Sequence, residues 1–156
     1  MAFSKWVSGY YTHGDSPELL ERRTPATDIR PTIMDISPEE LQIMFHPGPT
    51  SPGGSDLGLL NGGIITGLNR VMWRRSLYLS GDDTEGTGDE LADVELRYLW
   101  CDRSVYEMPW GTWALRKELE EAKQNGLPLR KMTIVRLRGA NHFVSHSIQF
   151  QSAHLQ

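Results

Sequence analysis

Val94-Glu95-Leu96-Arg97-Tyr98-Leu99-Trp100 and Lys131-Met132-Thr133-Ile134-Val135-Arg136-Leu137, with Pro109 to Asn125 between them, decide the fold. The first run alternates and is rich in strand formers; the second is β-branched at its centre. In the intervening stretch Trp113, Leu115, Leu119 and Ala122 supply the apolar contacts of a helix. Asn125-Gly126 makes its C-terminal stop. Strand, helix and strand within residues 94–137 predict a βαβ unit, two parallel strands joined by a right-handed crossover. Parallel strands want helices on both faces and several neighbouring strands. The sequence supplies only two convincing strands, so the predicted fold class is α/β with an incomplete sheet.

Upstream the pattern differs. Residues 80–95 hold seven acids and no base, the composition of a solvated, flexible connector. As a linker over 80–93 it separates a helical segment, 1–79, from the βαβ segment, 94–144, and a divergent tail follows at 145–156. Within the first segment Trp6, Tyr10 and Tyr11 lie at helical spacing. Asp15-Ser16-Pro17-Glu18 reads as a helix start that Pro25 ends within about two turns. Residues 24–36 read as a loop. Ser37-Pro38-Glu39-Glu40 is a capping box with proline in the first turn, and Leu41, Met44 and Phe45 give that helix its apolar face. After a Pro/Gly/Ser loop at 46–56, capped by Ser55 or Asp56, Leu57, Leu60, Ile64, Leu68 and Val71 or Met72 recur at helical steps. Gly58, Gly62, Gly63 and Gly67 interrupt that helix, each at a cost of about 0.8–1 kcal/mol against alanine. The expectation is therefore a neighbour lying close against its glycine side.

Composition bounds the function. The chain has 156 residues, 38% of them hydrophobic and 23% charged, with net charge −4. That is a globular composition with core enough to fold. Its acidic balance argues against nucleic acid as a partner. One cysteine allows neither an internal disulfide framework nor a Cys-based zinc site. No membrane span or signal-peptide core is evident, so a cytoplasmic location is the expectation.

Chemistry concentrates after the two strands. The second runs into Arg138-Gly139-Ala140-Asn141-His142-Phe143, and the first ends in Trp100-Cys101-Asp102-Arg103-Ser104. Open α/β sheets carry their sites at the carboxyl edge of the strands. An acid at Asp102 and a base at His142 there match the last two members of a Ser…Asp…His relay. In such a relay the acid orients the imidazole, and the imidazole moves the proton between nucleophile and leaving group.

Residues 94–144, with Leu-Trp-Cys-Asp-Arg-Ser-Val-Tyr-Glu-Met-Pro-Trp-Gly-Thr (99–112) and Val-Arg-Leu-Arg-Gly-Ala-Asn-His-Phe (135–143), resemble the C-terminal end of α/β-hydrolase-fold proteins, in particular a fungal branch. Residues 3–79 are similar to the helical cap of that branch, through Trp-Val-Ser-Gly-Tyr-Tyr-Thr-His-Gly and Pro-Gly-Gly-Ser-Asp. The resemblance implies hydrolysis of an ester, amide, epoxide or similar bond in a small, largely apolar substrate. It implies His142 as the catalytic histidine. Asp102 is the favoured acid; the family pattern places the acid about two residues later, where Ser104 stands, and Glu107 is a third candidate. No Gly-x-Ser-x-Gly nucleophile elbow occurs in the sequence, and the oxyanion-hole segment is absent. Losing the nucleophile alone costs on the order of 10⁶ in turnover, so the chain by itself is expected to be inactive.

The remaining signals read as structure. Cys101 is a small packing residue. Gly53 to Gly58 lacks the Lys-Ser/Thr of a phosphate loop. His142, His146 and His154 are not expected to bind metal, and no cofactor is expected. Trp100, Trp110 and Trp113 are core or pocket wall, and Arg70, Arg74 and Arg75 are a solvated helix face. The alternative functional reading is a non-catalytic interaction protein, or a fragment without independent function. In that case exposed cap surface would drive self-association or pairing with a complementary half.

Overall fold

A computed structural model describes residues 2–44, 47–79 and 93–143. The acidic connector (apart from residue 93), the tail from residue 145, Phe45, His146 and His154 lie outside the described residues. The helices are α1 (Ala2–Val7), α2 (Pro38–Met44), α3 (Pro47–Thr50), α4 (Ser55–Ile65), α5 (Leu68–Leu77) and α6 (Glu107–Gln124). The strands are β1 (Leu96–Cys101) and β2 (Met132–Leu137). Among the described residues no helix is long and apolar enough to cross a membrane.

β1, α6 and β2 form the expected strand–helix–strand unit. Backbone bonds from Leu96 N to Lys131 O and from Asp102 N to Leu137 O hold a constant offset, the mark of a parallel pair. Among the described residues the sheet has two strands, β1 and β2. α6 stops as Asn125-Gly126 predicts. Gly126 sits at φ +66°, its N–H donates to Lys123 O, and Leu127 N–H donates to Ala122 O. These two bonds are a Schellman motif, and only glycine takes that left-handed angle without steric cost.

Contacts gather the chain into two compact units, each drawn from more than one segment. The first comprises Met1–Ile36, Arg97–Glu121 and Met132–Gln156. Tyr11, Leu20, Ile36, Val105, Leu115 and Ala140 form its apolar core. Asn141, fully buried, donates to Ser8 O at 2.6 Å and to Thr32 Oγ1 at 2.7 Å. Its own Oδ1 accepts from Phe143 N. One amide side chain thus ties three distant stretches of sequence together.

Local expectations fail in this unit where tertiary bonds compete. α1 ends at Val7, so Tyr10 and Tyr11 do not continue it. Gly9 lets Pro25 pack where a Cβ would stand. Tyr10 O then accepts from Ala26 N, and Tyr11 N donates to Arg103 O. The start at Ser16-Pro17 yields only a 3₁₀ turn, Pro17–Leu19. The Leu19 carbonyl is taken by Gly14 N, and the Glu21 carboxylate binds the N–H groups of Arg23 and Thr24. Those two backbone donors hold the Glu21 carboxyl below its usual range. The expected loop at 24–36 contains a second 3₁₀ turn, Thr32–Asp35.

The second unit comprises Ser37–Leu96 and Ala122–Lys131. The capping box forms: Glu40 N donates to Ser37 Oγ, and Ser37 N donates to the Glu40 carboxylate. The loop expected at 46–56 contains α3. The long glycine-bearing helix is two helices, broken where Gly67 turns left-handed at φ +71° to start α5. The first cap is Gly54 rather than Ser55 or Asp56. Among the described residues the expected neighbour on the glycine side is met at buried Gly63, where the Asn69 side chain stands in the place of a Cβ, but not at Gly58 or Gly62, where a Cβ would meet nothing within 4 Å. Near the end of the unit Leu79 N donates to Pro128 O and Arg130 N to Leu77 O. This antiparallel bridge buries Leu77.

Candidate functional site

The loops leaving β1 and β2 meet within the first unit. Arg103 N donates to Ala140 O at 3.0 Å, which sets residues 102–104 beside 139–142. Gly139, at φ +73°, turns the chain after β2. Its N–H donates to Asp102 Oδ1 at 2.7 Å. Arg136 Nε reaches Asp102 Oδ2 at 3.0 Å and lies over the Trp100 ring, 5.4 Å from its centre. Both oxygens of Asp102 are therefore engaged in holding the turn and the strand end.

His142 is exposed, and its Nδ1 lies 3.3 Å from Ser104 Oγ. Ser104 itself is completely buried. The histidine and the loop after β1 thus come together through Ser104, while Asp102 faces Gly139 and Arg136. Glu107 opens α6, and one of its carboxylate oxygens is buried without a hydrogen bond. Its charge acts on Tyr11, whose hydroxyl donates to Trp6 O. Burial first, then the charges of Glu107 and Glu21, push the Tyr11 phenol up to about 12.

His13 completes the cluster from 91 residues away in sequence. Its Nε2 is 2.7 Å from the Ser104 carbonyl. A carbonyl only accepts, so His13 donates from Nε2. Its ring stacks on Tyr11 with centroids 5.9 Å apart, and its Nδ1 is buried without a partner. Arg103 fastens the same strand of residues, with its Nε reaching Tyr11 O and its guanidinium lying over Tyr10. Sequence reasoning singled out neither His13 nor Asn141 as a separate group. The only available signal was their place inside the two quoted motifs.

A cavity of about 170 Å³ opens beside Asp102, walled by His13, Trp100, Thr112, Trp113, Arg116 and Arg136 among others. His142 does not line it. Burial and the Asp102 charge raise the Cys101 thiol, which disfavours a thiolate nucleophile at that position. Among the described residues no three His, Cys, Asp or Glu side chains converge as metal ligands would.

These features define a mixed α/β protein with a small parallel sheet and a Ser–His contact at its carboxyl edge. Comparison with family models, with curated proteins and with solved structures found no match for the chain.

Proposed function

We propose that this chain carries the base-bearing portion of an α/β-hydrolase-type site, with His142 as the histidine of the relay. The reaction is hydrolysis of an ester, amide or epoxide-type bond in a small apolar substrate. The attacking group comes from outside these 156 residues. The observation that supports the reading is the 3.3 Å contact between His142 Nδ1 and Ser104, on the loops that leave two parallel strands. Ser104 stands where the resemblance puts the acid, and Asp102 supports the turn that presents His142.

The test is sequencing of the full transcript and expression of its longest product. The reading expects an in-frame Gly-x-Ser-x-Gly upstream, a serine there labelled by a fluorophosphonate, and no labelling of the 156-residue chain alone. Robust labelling of a serine within this chain, or a transcript without that motif, would overturn it.

A second reading, a non-catalytic interaction protein, is favoured by a different observation. Leu59, Ile64, Ile65 and Met72 of α4 and α5 are all more than half exposed. Exposed large apolar side chains in this number favour a protein contact surface. A chain that is inactive yet retained specifically on immobilised copies of itself would favour this reading.

A further inference from the structure

We infer that the Ser104 hydroxyl fixes neutral His142 as its Nε2–H tautomer, so that in this chain by itself the other ring nitrogen rests as a hydrogen-bond donor. Ser104 has no exposed surface. Its N–H donates to Cys101 O, and its carbonyl accepts from His13 Nε2. Among the described residues the hydroxyl has one partner, His142 Nδ1. Two proton arrangements fit that distance. If Nδ1 carried the hydrogen and donated to Oγ, the hydroxyl proton would be buried with no acceptor. If the hydroxyl donates to Nδ1, its proton is satisfied and only lone pairs go unused. A buried unpaired donor is the costlier state. The second arrangement therefore prevails, and Nε2 keeps the hydrogen.

Asp102 makes no hydrogen bond to the ring among the described residues; its two oxygens accept from Gly139 N and Arg136 Nε instead. Ser104 is thus a positioning residue for two imidazoles, holding His13 through its carbonyl and His142 through its hydroxyl. The functional consequence rests on the hydrolase reading. A relay histidine must accept the nucleophile's proton at Nε2. In serine proteases, an amide replacing the orienting acid reverses the tautomer and costs about 10⁴ in turnover with the geometry intact. In this chain by itself, where Ser104 alone faces the ring, Ser104 holds the same reversed tautomer, and a carboxylate at position 104 would undo it, since a carboxylate only accepts.

The test is long-range ¹H–¹⁵N NMR of the full chain with ¹⁵N-labelled histidine, at a pH where His142 is neutral, with His142 assigned by loss of its signals in H142Q. Wild type is expected to show protonated Nε2 and bare Nδ1. The Nε2–H to Nδ1–H ratio should exceed that of the urea-unfolded chain by about five-fold or more, equivalent to about 1 kcal/mol. Ser104→Asp should invert the ratio, Ser104→Ala should return it to the unfolded value, and Asp102→Asn should leave it as in wild type. A protonated Nδ1 in wild type, a ratio equal to that of the unfolded chain, or inversion by Asp102→Asn would overturn the inference. The comparison of folded with unfolded wild type stands even if Ser104→Asp does not fold. None of these readouts needs a nucleophile, so they fail or succeed independently of the hydrolase reading.

Discussion

Asn141 and Tyr11 show how polar side chains hold the first unit. Asn141→Ala would strip donors from the buried Ser8 carbonyl and Thr32 hydroxyl and an acceptor from Phe143 N. A cost of about 2–4 kcal/mol is expected, read as a shift in urea midpoint. Tyr11 makes a prediction about alkali. Its folded-state value of about 12 lies above the ordinary phenol value near 10. The contribution is full below pH ~10 and disappears as pH rises through the folded value. Near-ultraviolet phenolate absorbance should show one tyrosine ionising late, together with unfolding. Tyr11→Phe should flatten that alkaline loss of stability. The same scale explains what the sequence hid at the site. Asp102 and Ser104 are both side chains on one short loop, and pattern alone does not say which turns toward His142. Gly139, by turning at positive φ, delivers its N–H to Asp102 and leaves the imidazole to Ser104. His13 was out of reach for another reason, because nothing local marks a residue that docks on a carbonyl 91 positions later.

Elements were legible where their signals are local. The Ser37–Glu40 box, the Asn125-Gly126 stop and the two strands all depend on neighbours within a few residues, and all form. The aromatic run at 6–11 does not stay helical because distant backbone groups claim the bonds a helix would use, and the start at Ser16 stops at one turn because Gly14 N and the Glu21 carboxylate tie up its neighbours locally. Helical periodicity also runs smoothly across Gly67, although the backbone breaks there. The glycines of α4 now separate into classes that substitution can test. Gly58→Ala and Gly62→Ala place a methyl in open space on a helical backbone. Each should stabilise by about 0.5–1 kcal/mol in denaturant titrations. Gly63→Ala must displace Asn69, which cancels that gain. Gly126→Ala forces a side chain into the left-handed turn closing α6 and should destabilise by about 1–2 kcal/mol. An unchanged stability for Gly62→Ala would mean that something does press against that face of α4.

At the scale of the whole molecule, the described residues leave large apolar side chains exposed. A parallel sheet ordinarily has both faces buried. β1 instead alternates along its length, and Leu99 is 58% exposed. In the second unit the imbalance is larger. Leu59 and Ile65 of α4 are 74% and 84% exposed, and Ile43 of α2 is 84% exposed. Amphipathic helices normally turn such residues toward a core. These helices present them on several sides, and this is why periodicity along α4 and α5 was readable while the partner it implies was not. Single exposed apolar residues are ordinary, but contiguous ones carry a free-energy incentive of about 25 cal/mol per Å² to leave water. The isolated chain should therefore bind an environment-sensitive dye such as ANS and associate as its concentration rises. Leu59→Glu with Ile65→Glu should lower both, while the far-ultraviolet circular dichroism stays unchanged because both side chains touch mainly solvent. Sedimentation velocity across a concentration series separates the outcomes. Monomers at every concentration, with no dye bound, would overturn the expectation of an adhesive surface on α4 and α5.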